Sequence, residues 1–264
     1  MNPRGEWVRS FKRLLNQGAH ATGFHIGRFP APNTLVAQLA HLFADRGVNC
    51  VFDVGGHHGE FALQLRESGY RGPIVSFEPI RATHAILVEK AQRHGDWQAH
   101  NLALGSQDGE KEMHLYEGTV FNSFLSSSDF AAERFGKAIE HRGSERVQVR
   151  RLDHIFDECV AGIDSPRVFL KMDTQGWDLE VLEGARGILD SVVGIQSELA
   201  VKHCYQGMTP YTRALEKYES FGFELTGIFP VSFEPDGLRL VEVDCVFVAA
   251  SAERRALLPQ AARV

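Results

Sequence analysis

An acidic residue followed by a glycine-rich turn is the first place where this sequence can do chemistry. In VFDVGGHHGEF (residues 51–61) an apolar run ends at Asp53, and Gly55, Gly56 and Gly59 follow in the turn. Glycine lets a backbone adopt conformations that other residues resist and come close to a ligand. A helix that begins after such a turn offers free N–H groups to an anionic part of that ligand. The segment therefore predicts a ligand-binding loop.

A second carboxylate follows at a fitting distance. Glu78 comes nineteen residues after Gly59, at the end of the apolar run IVSFEP, with Pro79 next to it. A carboxylate at this place can bind the hydroxyls of a ribose. The turn departs from the GxGxxG spacing whose backbone cradles a pyrophosphate, so an adenosyl ligand without pyrophosphate fits better. An NAD(P)-linked oxidoreductase and a non-catalytic adenosyl-ligand binding protein stay as alternatives.

Three residues near the ends of later apolar runs are candidates for catalysis. Asp173 ends VFLKM, Glu198 closes VVGIQSE, and His203 lies on the loop that follows. Each can take a proton from a hydroxyl nucleophile, which is the task of a general base. For Glu198 a buried structural role is the alternative, and for His203 a surface position.

Metal binding is a weaker interpretation of the same residues. His57, His58 and Glu60 lack the i, i+4 spacing of metal ligands on a helix, so we expect no metal there and take His57 as part of the ligand loop. Asp173 and Glu198 together have the oxygen donors that Mg²⁺ prefers, which leaves magnesium as a minor alternative.

Alternating helices and short apolar strands must position these residues. This alternation is typical of a mostly parallel sheet covered on both faces. We predict an α/β, Rossmann-like, doubly wound sheet of about seven strands, with the last strand antiparallel because the final connection is too short for a crossover. The strands are expected at residues 50–54, 74–77, 97–104, 168–172, 192–199, 223–230 and 242–249, and the intervening helices at 60–67, 82–94, 179–189 and 209–221.

The predicted organisation has three parts. Residues 1–47 form a helical segment that packs on or covers the core, with a basic amphipathic helix at 4–17, a linker at Phe29–Asn33 and a second helix capped by Thr34. Residues 48–250 form the main domain, and 251–264 a tail.

The main domain contains a variable insert at about 105–150. Two hairpin-like strands near 111–116 and 146–150 flank its flexible middle, which carries Phe121, Asn122, Ser123 and Phe124. Such loops often carry recognition, although a plain surface excursion is the alternative. Tyr205 is a further candidate for the acceptor pocket.

Composition limits the partners. The chain has 264 residues, 44% hydrophobic and 23% charged, with a formal net charge of −6. Coating nucleic acid needs clustered Lys and Arg, so we expect no nucleic acid partner. No apolar run reaches the roughly 18 residues of a membrane span. We interpret the four cysteines as structural thiols. We expect a soluble cytoplasmic protein, and a homo-oligomer is compatible with the sequence.

Several motifs in order resemble the FkbM-type methyltransferases, a class I family that uses S-adenosylmethionine. They are VFDVGGHHGEF, SFEP, NLALG, RLDHIF and LKMDTQGWDLEVLEGA, within residues 51–248. The resemblance implies methyl transfer to a hydroxyl of a sugar, glycan or natural product, with S-adenosylhomocysteine as product. The sequence departs from the family where His57 replaces a usual Asn, and where Gln175 and Asp178 replace usual Glu residues.

The resemblance also implies roles for individual residues. Asp53 and the turn glycines would shape the pocket for the methionine end, Glu78 would hold the ribose, and Asp173 would lie near the transferred methyl. The residues expected to border the cofactor are Asp53, Gly55, Gly56, His57, Gly59, Glu78, Pro79, Asn101, Leu102, Ala103 and Asp173.

Overall fold

The computed structural model describes residues 33–251, and the chain divides into two units, Met1–Leu39 and Ala40–Val264. Helix α1 (Leu35–Arg46) spans the boundary between them. Thr34 Oγ1 accepts a hydrogen bond from Ala37 N (3.3 Å), which confirms the predicted cap. The expected helix at 4–17, nearly all of the linker and the tail after residue 251 lie outside the described residues, so the roles given to them stay predictions.

One sheet of seven strands forms the core of the second unit. Its spatial order is β3-β2-β1-β7-β8-β10-β9, and only β10 runs against its neighbours. The prediction of a mostly parallel sheet whose last strand is antiparallel is confirmed. The strands are β1 (Cys50–Val54), β2 (Ile74–Phe77), β3 (Trp97–His100), β7 (Val168–Met172), β8 (Val192–Ala200), β9 (Phe223–Phe233) and β10 (Leu240–Ala249).

Helices cover both faces of this sheet, because β1 and β7 bury side chains in both directions. Phe52 packs on Phe156 from one side (ring centroids 5.9 Å). On the other side Phe169 packs on Phe43 of α1 (4.9 Å). The remaining helices are α2 (Glu60–Glu67), α3 (Arg81–Ala91), α4 (Asp129–Phe135), α5 (Leu152–Cys159), α6 (Asp178–Gly184) and α7 (Tyr211–Ser220).

The insert is more regular than predicted. β4 (Ala103–Leu104), β5 (Gly109–Tyr116) and β6 (His141–Arg150) form a second sheet, in the order β4-β6-β5. Its middle contains α4, which begins at Ser128, whose hydroxyl accepts a hydrogen bond from Ala131 N (3.1 Å). The two strands predicted near 111–116 and 146–150 are confirmed as the antiparallel pair β5 and β6, and the chain between them forms a helix that the sequence analysis did not predict.

The third strand was expected within residues 97–104, and β3 lies there. It ends at His100 because the chain turns at Asn101, whose amide donates to the carbonyls of Glu78 and Pro79, and β4 after the turn belongs to the second sheet. The helix expected at 179–189 ends at Gly184, where a side chain would lie 2.0 Å from Gly105 O, and a 3-10 helix follows.

Helix α5 was missed altogether. It buries residues at helical spacing, Leu152, Ile155, Phe156 and Cys159, so the sequence did contain the signal.

The four cysteines are free and buried, as predicted. Burial raises the pKa of the Cys50 thiol to about 12, so it stays protonated at neutral pH. Within residues 33–251 no helix has both the length and the apolar character to cross a membrane.

Candidate functional site

The candidate site lies where the order of strands reverses, between β1 and β7. In open α/β sheets a ligand binds beyond the carboxyl ends of the strands at such a point. Here the two strand ends are joined directly, since Asp173 N donates to Val54 O at 3.0 Å. The predicted ligand loop and the predicted catalytic Asp173 therefore lie side by side.

A row of buried polar residues crosses the sheet just below this edge. Strand register aligns Ser76, Asp53, Lys171 and Gln196 on four neighbouring strands. Asp53 is fully buried; its carboxylate accepts from the Ser76 hydroxyl (3.0 Å) and pairs with Lys171 Nζ (3.1 Å). Asp53 is therefore held inside the sheet, and it shapes the loop from beneath.

Lys171 is the important residue that the sequence analysis missed. Its ammonium lies 3.1 Å from Asp53, 3.5 Å from Asp173 and 3.3 Å from Gly55 O. Burial alone would lower the pKa of Lys171, but Asp53 and Asp173 raise it above its ordinary value. The signal was a single lysine inside the continuous apolar run VFLKM, where an unpaired charge would be costly.

The turn glycines are required by the protein itself. Gly55 has φ +76°, and a Cβ there would lie 2.0 Å from Asp173 O. Gly59 has φ +83°, and its Cβ would lie 2.6 Å from the Trp97 ring. Glycine at both positions thus lets the loop pack closely on the neighbouring strands, which sets the shape of any ligand pocket above it.

Glu78 lies at the end of β2, next to the loop. It is 6% exposed, and its two carboxylate oxygens accept from His57 N (3.0 Å) and Ile80 N (2.9 Å). Burial raises the pKa of Glu78 to about 7; the two N–H bonds and Lys171 lower it, and Asp53 raises it. A carboxylate oxygen has two acceptor sites, so both oxygens keep capacity for the hydroxyls of a diol.

The residues expected beside the adenine differ in their surroundings. Asn101 is exposed and fixes the chain after Glu78, whereas Ala103 is buried in the small core beneath the second sheet. Leu102 is partly buried against the main core, and Pro79 is partly exposed. Their contact with an adenine stays a prediction.

A chain of side chains links two of the three predicted catalytic residues. Gln175 Nε2 donates to Asp173 Oδ1 (3.0 Å) and to Glu198 Oε2 (3.2 Å). Burial and the nearby Asp173 raise the pKa of Glu198 well above its ordinary range. The Asp173 side chain is 38% exposed and is therefore open to an incoming molecule.

The insert contacts this chain through Gln175. The Tyr205 hydroxyl lies 2.9 Å from both Gln175 Oε1 and Phe121 O, and the Ser123 hydroxyl donates to Gln175 O (2.8 Å). Gln175 has φ +52°, a left-handed conformation that is uncommon without glycine. Its backbone thus turns its amide toward the two carboxylates, and the insert holds it there.

His203 is not brought into this chain. Its side chain is exposed, and its backbone carbonyl accepts from the Ser128 hydroxyl (2.6 Å). Among the described contacts no hydrogen bond connects its imidazole to Asp173 or Glu198. Its catalytic role stays a prediction without structural support.

Asp178 explains the fixed shape of the loop after β7. It is buried and accepts from Thr174 N (2.9 Å) and from the hydroxyls of Thr174 and Ser197. Tyr218 in turn donates to the Ser197 hydroxyl (2.7 Å). Asp178 therefore positions the backbone that carries Asp173.

Nothing in this arrangement supports the magnesium alternative. Gln175 Nε2 already lies between the Asp173 and Glu198 carboxyl groups. A shared Mg²⁺ would need oxygens of both groups as ligands at about 2.0–2.1 Å, in place of their hydrogen bonds to this amide. At the ligand loop, in contrast, His57, His58 and Glu60 place one potential ligand atom each within 4.8 Å of one another.

Comparisons with known proteins identify methyltransferases as relatives of this chain. The sequence profile described as the Methyltransferase FkbM domain matches residues 53–225. Methyltransferase 1 of Beauveria bassiana is 26% identical over 197 residues, which cover 70% of this chain and 76% of that protein. The 2-O-methyltransferase NoeI of Sinorhizobium fredii is 24% identical over 195 residues, covering 71% and 77%.

A solved structure is also similar. The match to the methyltransferase FkbM from Methylobacillus flagellatus KT has a TM-score of 0.46 and 18% sequence identity, and it covers 76% of this chain. The chain spans 43% of the length of that solved chain.

The doubly wound sheet with acidic and glycine residues at its switch point is that of a class I methyltransferase architecture. The profile match covers well over half of the chain, and the protein belongs to the FkbM methyltransferase family.

Proposed function

We propose that this protein is an S-adenosylmethionine-dependent O-methyltransferase that acts on a hydroxyl of a sugar, glycan or natural product. The observation that carries the proposal is the pairing of two carboxylates across one glycine loop, with buried Glu78 on one side and exposed Asp173 on the other. One relative, NoeI, is a 2-O-methyltransferase, which supports a hydroxyl acceptor.

The residues present fit the cofactor. Glu78 has free acceptor capacity on both oxygens for the ribose hydroxyls, and Asp53, Gly55, Gly56 and Gly59 would shape the pocket for the methionine end. His57, Pro79, Asn101, Leu102 and Ala103 would border the rest. When bound, S-adenosylmethionine would supply a methyl group activated by a positively charged sulfur. The family match favours it over NAD(P).

Asp173 is our choice for the proton acceptor. It is exposed enough to meet an acceptor hydroxyl, and Lys171 and Gln175 hold its two oxygens in one orientation. A fixed orientation matters because alignment supplies much of the acceleration in a displacement reaction. Glu198 is buried and shares the Gln175 amide with Asp173, so in this scheme it supports Asp173 through Gln175.

A transfer assay tests the proposal. Wild-type protein and Asp173→Asn are incubated with methyl-labelled S-adenosylmethionine and a panel of oligosaccharides and hydroxylated polyketides, with exposed Asp157→Asn as the control. We expect label in at least one hydroxyl acceptor and a rate about 100-fold lower in Asp173→Asn, the range for losing a general base. An unchanged rate would remove Asp173 from catalysis, and label on an amino group of an amino sugar in the panel, with none on a hydroxyl, would contradict O-methylation.

The alternative of an adenosyl-ligand binding protein without catalysis predicts tight cofactor binding and no transfer to any acceptor of this panel. The cytoplasmic location and the oligomeric state stay predictions.

A further inference from the structure

Two imidazoles on the ligand loop have no part in the proposed reaction. His57, His58 and Glu60 lie between β1 and α2, and one potential ligand atom of each lies within 4.8 Å of the other two. The sequence argument against a metal here relied on helical spacing. These residues lie in a turn instead, because His57 has φ +43° and helix α2 begins only at Glu60.

The Nδ1 atoms of both imidazoles lie close to the Glu60 carboxylate. His57 Nδ1 lies 3.4 Å from Glu60 Oε2, and His58 Nδ1 lies 3.7 Å from Glu60 Oε1. These separations are longer than the roughly 2.7–2.9 Å of a charge-assisted hydrogen bond. The first separation equals the distance of about 3.3–3.4 Å between neighbouring ligands of a tetrahedral ion with bonds of about 2.0–2.1 Å, and the second is slightly longer.

The surrounding contacts fix the ligands in these positions. The Thr119 hydroxyl lies 2.9 Å from His57 Nε2, so the second ring nitrogen is held while Nδ1 stays directed at Glu60. Metal-binding histidines regularly have such a partner on the other nitrogen. Glu60 is held too, since Oε2 accepts from His58 N at 3.1 Å.

We propose that His57 Nδ1, His58 Nδ1 and the Glu60 carboxylate bind a borderline divalent transition-metal ion such as Zn²⁺ or Co²⁺. Imidazole and carboxylate are ligands that suit these ions. Three protein ligands leave a fourth position open to water or to another molecule. The site borders the cofactor loop, because His57 N also donates to Glu78. It does not depend on the proposed methyl transfer.

Metal titrations of the untagged full-length chain test this proposal. Zn²⁺ binding is measured by calorimetry, and Co²⁺ binding by the visible absorption of the ion. The variants are His58→Asn and Glu60→Gln. The His58 side chain is partly exposed and that of Glu60 is exposed, so neither change should disturb the core, and circular dichroism checks that both variants fold. His141→Asn is the matched control, because His141 and His114 form another histidine ring pair (centroids 5.5 Å).

We expect wild type and His141→Asn to bind one ion more than either ligand variant, with a Co²⁺ spectrum typical of four-coordination. Thr119→Val should weaken that binding about 10-fold, the effect of losing a partner of a metal-bound imidazole. Equal stoichiometry and affinity in wild type and both ligand variants would overturn the proposal. Binding that saturates only above about 1 mM would overturn it as well.

Discussion

The two halves of the site are built in different ways. On the cofactor side, Glu78 is held by backbone N–H groups of Ile80 and His57, and the glycines of the loop fit against neighbouring strands. On the acceptor side, Asp173 is held by the side chains of Lys171 and Gln175. The first half uses the backbone, whereas the second uses side chains from distant parts of the chain.

This difference separates what is general in the site from what is particular. A backbone-bound carboxylate needs only a turn of fixed shape, so a short motif is sufficient to build it. A network of side chains depends on the identity of each member, and the motif resemblance implies that Gln175 replaces a usual Glu. The acceptor side is therefore where this protein should differ most from its relatives.

Lys171 belongs to both halves, so its loss should have the largest effect. Lys171→Met leaves Asp53 buried without its counter-charge, and we expect a loss of about 3–5 kcal/mol in the free energy of unfolding. Urea denaturation measures it. In the double variant Asp53→Asn/Lys171→Met most of the loss should be recovered, because no buried charge is left unpaired.

The control for this prediction is Lys111→Met, since Lys111 is exposed and lies over the Trp177 ring at 4.9 Å. It should cost at most about 1 kcal/mol. Similar losses for the two lysines would contradict the central place given to Lys171.

The second prediction tests the acceptor side. Gln175→Glu replaces the amide between Asp173 and Glu198 by a third carboxyl group, and two hydrogen bonds to carboxyl groups are lost. We expect a loss of about 1.5–3 kcal/mol in unfolding free energy at pH 8.5. The new carboxyl would have a raised pKa, so the folded state holds its proton longer and the loss should shrink as the pH falls to 5.5.

Exposed Gln98→Glu serves as the control for that variant, and it should change stability little at either pH. Denaturation curves at the two pH values decide the matter. A loss at pH 5.5 as large as that at pH 8.5 would show that charge is not its cause.

The third prediction tests the cofactor side. Glu78→Ala should weaken the binding of S-adenosylmethionine by about 1–3 kcal/mol, the cost of unpaired hydroxyl contacts, while the control Glu67→Ala, at an exposed position, should not.

The affinity of the wild-type protein for S-adenosylmethionine should also fall as the pH drops below about 7, where Glu78 becomes protonated. Calorimetry at pH 6 and 8 measures both, and a pH dependence that persists in Glu78→Ala would assign it to another group.

The same pKa has a consequence for the protein without ligand. Since Glu78 titrates near pH 7 in the folded state and near its ordinary 4.5 when unfolded, the folded state binds more protons between these values. Its contribution to the free energy of unfolding therefore falls as the pH rises through this window.

The smallest expected effect concerns the contact between the insert and the acceptor side. Tyr205→Phe removes the hydroxyl that lies 2.9 Å from Gln175 Oε1 and from Phe121 O. We expect a loss of about 0.5–1.5 kcal/mol in unfolding free energy, the net value of one hydrogen bond. A loss near zero would indicate that Tyr205 does not hold Gln175 in place.

The same contrast explains what the sequence could predict. The mostly parallel sheet was predicted from alternating helices and short apolar strands. Asp53, Glu78 and Asp173 were chosen because each lies at the end of an apolar run, and the ends of parallel strands meet at one edge. The link from Asp173 to Glu198 through Gln175 was not predicted. It depends on a contact between Gln175 and Glu198, which are 23 positions apart, and on a left-handed backbone conformation that directs the amide inward; neither feature has a local signal.

The second sheet was not predicted as a whole for a related reason. Its three strands pair with one another, and β4 (Ala103–Leu104) is too short to be recognised as a strand by alternation. The role of Lys171 was missed for a different reason. The lysine stands out in its apolar run, but the sequence does not show that the strands bring Asp53 and Asp173 next to it.

The central claim is that the glycine loop with Glu78 binds S-adenosylmethionine. Calorimetry of the wild-type protein with S-adenosylmethionine, S-adenosylhomocysteine and NAD(H) tests it most directly. We predict that the first two bind at a single site and that NAD(H) does not bind. Binding of NAD(H) without binding of either adenosyl sulfur compound would contradict the account.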